Sequence, residues 1–111
     1  MMTTQQEVAE RRKHPRITEL FLVSYVNKEG SEQKTPVSMG RTLDISRSGA
    51  RLEIDREVKP DSRMELDMAV RDTRLVVQGR VVRVERTEQG RYTVGIEFDT
   101  LQDALAGVGS A

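Results

Sequence analysis

The stretch Arg41-Thr42-Leu43-Asp44-Ile45-Ser46-Arg47-Ser48-Gly49-Ala50-Arg51-Leu52-Glu53-Ile54 decides the fold. Its first half alternates, with Leu43 and Ile45 on one face and Thr42, Asp44 and Ser46 on the other. Its second half alternates again, with Ala50, Leu52 and Ile54 on the apolar face. Two period-2 runs around a Ser/Gly break predict strand, turn, strand. Gly49 is expected where the chain reverses, since glycine takes φ > 0 without a Cβ clash. Asp44 and Ser46 are then expected side by side, facing outward and opposite the buried Leu43 and Ile45. Turn chemistry alone accounts for such residues, because short polar side chains bond nearby backbone groups.

The same alternation extends in both directions. Upstream, Ile17 to Asn27 is β-rich and ends at the turn cluster Asn27-Lys28-Glu29-Gly30, and Pro36 opens the strand that leads through Gly40 to Asp44. Downstream, Pro60-Asp61 marks a turn. Met64, Leu66, Met68 and Val70 then alternate with polar neighbours, and Asp72-Thr73 turns the chain again. Leu75 to Arg86 predicts a long strand. Its apolar phase changes across Gly79, which suggests a bulge there. After the turn at Glu88-Gln89-Gly90, Tyr92, Val94, Ile96 and Phe98 form the clearest alternating strand. One or two helical turns are expected over residues 100–106. About six strands and almost no helix predict an all-β fold, a small antiparallel barrel or sandwich.

The chain has 111 residues, enough for one core. Eighteen basic and eighteen acidic residues cancel, so no global field attracts nucleic acid or an anionic membrane. Aromatics are 4% of the chain and tryptophan is absent, leaving little for base-stacking platforms. Without cysteine there is no thiol nucleophile or thiolate metal site, and the single histidine makes a histidine-based site unexpected. No run is long and apolar enough to span a membrane, and no signal-peptide core precedes the domain, so a cytoplasmic setting is expected. The five methionines are expected to fill gaps in the core.

Residues 1–9 form a polar extension in which Thr4 and Glu7 fit a capping box, predicting a short helix over about Gln5–Lys13. Pro15 ends it. Arg11-Arg12-Lys13-His14-Pro15-Arg16 then places four fixed cations in six residues, which read as a solvated basic arm, a nucleic-acid tail or a phosphate clamp, with His14 read as a loop residue. Arginine forks onto phosphate oxygens or guanine O6 and N7 and stacks on rings. A carboxylate instead accepts from the N1–H and N2–H₂ edge of guanine. Arg12 and Arg16, four residues apart, together with Asp44 and Ser46 therefore suit a phosphodiester carrying guanine. Arg47 and Arg51 either add to this anion field or are simply solvated. Gly95 is read as a backbone-packing glycine and Arg80 as a surface charge.

The R-x-x-x-R pattern at Arg12–Arg16, followed by D-x-S-x-x-G at Asp44, Ser46 and Gly49, resembles the PilZ domain. So do Gly79-Arg80-Val81-Val82-Arg83 and Val94-Gly95-Ile96-Glu97-Phe98, and the resemblance runs from about Glu10 to Leu105. It implies a six-stranded β-barrel over residues 10–105 with a ligand-binding arm at 11–16, a short C-terminal helical turn and a frayed tail at 106–111. It also implies binding of the bacterial second messenger cyclic di-GMP, without catalysis or a further cofactor. Arg12 and Arg16 would contact phosphates and guanines, Asp44 and Ser46 a guanine edge, and Gly49 would hold the loop. Arg11 resembles the basic residue that accompanies an intercalated ligand dimer, implying two nucleotides per chain. Such single-domain members look like adaptors that signal to a protein partner in motility, biofilm or surface behaviour through a change in arm conformation. The segment after Phe98 is shorter than the C-terminal helix many members carry. The alternative is a ligand-free PilZ-like protein interaction module. No nucleophile–base pair or glycine-rich phosphate loop suggests an enzyme.

Overall fold

Alternation of apolar and polar residues drives the chain into strands, and the apolar faces meet around one core. The computed structural model describes residues 21–70 and 72–105. The expected N-terminal helix, the start of the first strand at residues 17–20 and the tail at 106–111 lie outside the described residues. Strands β1 (Leu22–Glu29), β2 (Glu32–Gln33), β3 (Ser38–Ile45), β4 (Gly49–Ile54), β5 (Arg63–Val70), β6 (Thr73–Arg86) and β7 (Tyr92–Phe98) precede a single 3₁₀ turn at Asp103–Leu105.

Six strands close into an antiparallel barrel in the order β1-β3-β4-β7-β6-β5, with β5 returning to β1. The two-residue β2 is extra and pairs with the end of β1. Closure satisfies both edges of the sheet, which suits strands this short. Val23, Tyr25, Leu52, Ile54, Leu66, Val81 and Val94 fill the interior, each fully or almost fully buried. Each such side chain contributes roughly 1.5–3 kcal/mol by leaving water. Met64 and Met68 join them as expected for gap-filling methionines, but Met39 does not: it stands on β3 with 55% exposure. The C-terminal turn is shorter than two helical turns, and its Leu105 belongs to the same core.

Turn chemistry agrees with the sequence at three places. Gly30 and Gly90 adopt φ of 62° and 81°, and Asp61, after Pro60, adopts φ of 68°. Gly49 differs: its φ is not positive. It is glycine because β4 and β7 approach closely there, and a Cβ would lie 2.4 Å from the Ile96 carbonyl oxygen.

Two bulges also depart from the expected alternation. The shift in β6 falls between Val81 and Arg83, not at Gly79, which keeps register with Met64 on β5 and Phe98 on β7. Gly79 serves another close approach, since a Cβ there would lie 2.5 Å from the Glu97 carbonyl oxygen. The second bulge lies in β3 at Leu43, where pairing shifts between Thr42 and Asp44. Leu43 is therefore only half-buried, and Thr42 takes the interior position opposite Leu52 with 0% exposure. Its hydroxyl is satisfied by accepting the Phe21 N–H at 3.0 Å, while the Thr42 N–H donates to the Phe21 carbonyl at 2.8 Å. This pair fixes the described start of the chain beside Asp44.

Candidate functional site

The two bulges align one outward row across four strands. Asp44 on β3 pairs with Arg51 on β4, Arg51 pairs with Gly95 on β7, and Gly95 pairs with Arg83 on β6. Asp44 faces away from the core as expected, yet it is only 5% exposed. Arg51 donates from Nε to Asp44 Oδ2 at 3.0 Å, so the carboxylate already holds a guanidinium. The rest of the Arg51 side chain remains open to solvent, with 54% exposure.

Ser46 is buried as well and spends its hydroxyl inside the loop. Its Oγ lies 3.3 Å from Ser48 Oγ and accepts the Ser48 N–H at 3.3 Å, and its N–H donates to the Gly49 carbonyl at 2.8 Å. These short-range bonds set the loop's shape before any ligand arrives. The loop is also braced from behind. The Phe98 N–H donates to the Ser48 carbonyl and the Gln102 N–H to the Arg47 carbonyl, both at 2.9 Å. Arg47 Nη2 adds a bond to Asp103 at 2.8 Å. Arg47 thus ties the loop to the C-terminal turn; Arg51, not Arg47, faces the site.

Below the loop a groove of about 490 Å³ runs over the outer face of β4, β7 and β6. Ser46, Ser48, Arg51, Val82, Arg83 and Gly95 line it. That volume is within the usual range for small-molecule sites. Ser46 and Gly49 line this groove and Asp44 adjoins it through its bond to Arg51, while Arg11, Arg12 and Arg16 lie outside the described residues. The sequence shows Val82 and Arg83 only as part of the Gly79–Arg83 stretch and not as groove residues, because the bulge that turns both outward could not be placed by alternation alone. Among the described residues, no group of three or more His, Cys, Asp or Glu side chains is placed to hold a metal ion. No helix among them is long and apolar enough to cross a membrane.

The family model of the PilZ domain matches residues 10–107. The chain belongs to the PilZ domain family. Two solved PilZ structures share its fold. The PilZ domain of CeSA from a cellulose-synthesizing bacterium is 18% identical, with a TM-score of 0.56 over 81% of this chain and 85% of that one. The PilZ domain of YcgR from Escherichia coli, determined with c-di-GMP, is 10% identical, with a TM-score of 0.61 over 86% of this chain and 82% of that one. A search of the curated proteins finds no match. In this chain Asp44 lies near the end of β3, Ser46 in the connecting loop and Gly49 at the start of β4.

Proposed function

We propose that this chain is a receptor for cyclic di-GMP that does no chemistry on it. The observation that carries the reading is the bond between Asp44 and Arg51, an arginine that lines a groove about 490 Å³ in volume, in a PilZ chain with its loop motif intact. Asp44 and Ser46 bind a guanine edge, and Gly49 holds the loop against β7. Arg12 and Arg16 bind phosphates and guanine faces from the arm at 11–16, and Arg11 favours an intercalated ligand dimer. The Phe21–Thr42 pair supports the arm's role. Arg16 is five residues before Phe21, a reach of up to roughly 17 Å from the Asp44 bulge. The YcgR domain's c-di-GMP gives the reading a precedent in the fold.

The working unit is residues 10–105, with a polar extension before it and a tail at 106–111. It acts in the bacterial cytoplasm as an adaptor, closing the arm over the ligand and presenting an altered surface to a partner protein of motility, biofilm or surface-behaviour machinery. Calorimetric titration with cyclic di-GMP, with GTP and cyclic di-AMP as controls, tests this. Saturable binding to cyclic di-GMP alone, at two nucleotides per chain, is the expected result. Loss of binding in Arg16→Ala would place the arm in the site. Absence of heat and of any thermal shift at high micromolar ligand would leave a ligand-free PilZ interaction module.

A further inference from the structure

The row Arg51–Gly95–Arg83 has a gap at its centre that the fold does not require. Glycine inside a strand weakens it, so a reason is expected. Gly49 and Gly79 have one, since a Cβ at either would strike a backbone oxygen at 2.4 or 2.5 Å. Gly95 has no such reason. Its φ is not positive, and a Cβ would meet Arg83 Cβ at 3.5 Å and Val82 Cγ2 at 3.6 Å, ordinary contact distances. The expectation that Gly95 serves backbone packing is therefore corrected. What a side chain would take away is the floor of the groove.

The walls are as telling as the floor. Arg51 and Arg83 stand one strand to either side of Gly95, roughly 9.5 Å apart at the backbone. A planar ring stacked on both sides needs about 7 Å between the flanking planes, at roughly 3.5 Å per contact. Arg51 is oriented by Asp44. The neighbouring outer-face arginines Arg63, Arg74 and Arg80 each engage a carboxylate, at Asp99, Asp67 and Asp61. Arg83 engages none among the described residues. Its guanidinium is available to stack, and guanidinium planes stack on rings in a way an ammonium does not.

We infer that the groove is a base slot, in which one purine of a nucleotide ligand lies over Gly95 between the guanidiniums of Arg51 and Arg83. For cyclic di-GMP the inference rests on the reading above and assigns one of its guanines to the slot. Titration of the wild type, Arg83→Ala, Arg83→Lys and Gly95→Val with cyclic di-GMP provides the first test. Arg83→Ala is expected to bind about 10- to 100-fold more weakly, the usual effect of losing one base stack. Arg83→Lys keeps the charge and loses the plane, and remains at least about fivefold weaker. Gly95→Val fills the slot and loses binding while its unfolding midpoint stays close to wild type.

The second test records amide chemical shifts of the wild type with millimolar GMP, where ring-current shifts centred on Gly95 and Arg83 are expected. Normal cyclic di-GMP binding by Arg83→Ala and Gly95→Val would overturn the slot and leave the receptor reading standing. GMP shifts at Gly95 without cyclic di-GMP binding would keep the slot and overturn that reading. Full recovery in Arg83→Lys would reduce Arg83 to a charge and overturn the sandwich.

Discussion

Arg51 Nε donates to Asp44 Oδ2 at 3.0 Å, so the carboxylate assigned to ligand recognition is also the orienting partner of a groove arginine. One pair links the loop to the row across β4, β7 and β6.

Asp44→Ala is therefore expected to damage binding twice, by removing an acceptor for the ligand and by releasing Arg51. A lost charged hydrogen bond of about 2 kcal/mol corresponds to roughly 30-fold in affinity, taken here as the minimum. Stability changes less. Arg51 is 54% exposed, so solvent screening holds the pair itself to under about 1 kcal/mol. Calorimetry and thermal unfolding on the same sample check both halves; normal affinity would remove Asp44 from the site.

The three strand glycines are expected to separate cleanly. Gly49→Ala and Gly79→Ala force a Cβ against backbone oxygens on β7, an overpacking worth about 1–3 kcal/mol. Gly95→Ala makes only ordinary contacts. Thermal unfolding reads this directly, at about 4–8 °C per kcal/mol for a domain near this size. Equal losses at all three positions would contradict the packing described.

Thr42→Val keeps the shape of the side chain and removes the acceptor for the Phe21 N–H. Leaving that amide unpaired costs about 1–3 kcal/mol. Faster hydrogen exchange at Phe21 is the specific signature. An unchanged Phe21 exchange rate would show that the hydroxyl is not the partner.

Alkaline pH should expose Tyr25. Its phenol is buried, and that burial pushes its pKa upward; Ser38, its register partner, opposes part of the shift without reaching hydrogen-bonding geometry. A raised folded-state pKa keeps the full contribution below the unfolded value of about 10 and loses it as pH climbs through the folded value. Wild-type stability is thus expected to fall above about pH 10, and Tyr25→Phe to flatten that fall. A variant that tracks the wild type throughout would assign the alkaline loss to other groups.

Much of the barrel was legible because β4, β5 and β7 obey a strict period of two, and one buried face leaves one register. The D-x-S-x-x-G residues could be brought together from sequence because they are neighbours along the chain. The bulges were harder. Thr42 and Leu43 compete for one interior position, and the Phe21 amide, supplied from the root of another strand, favours threonine there. Gly79 drew the expected bulge to itself because a glycine for close approach and a glycine for a kink look alike in one dimension. Arg83 was hidden for the same reason: its outward direction depends on Val82 being the extra residue.

The Phe21–Thr42 pair has a last consequence, for the arithmetic of tethering. If the preceding arginines grip a ligand in the groove, they do so as an intramolecular partner anchored at a fixed point, at an effective concentration in the millimolar range for so short a connection. Affinity then depends on spacer length as well as on side chains. Doubling the spacer between Arg16 and Phe21 with Gly and Ser costs only about 0.6 kcal/mol of closure entropy. A receptor built this way would be tunable by insertion in that spacer.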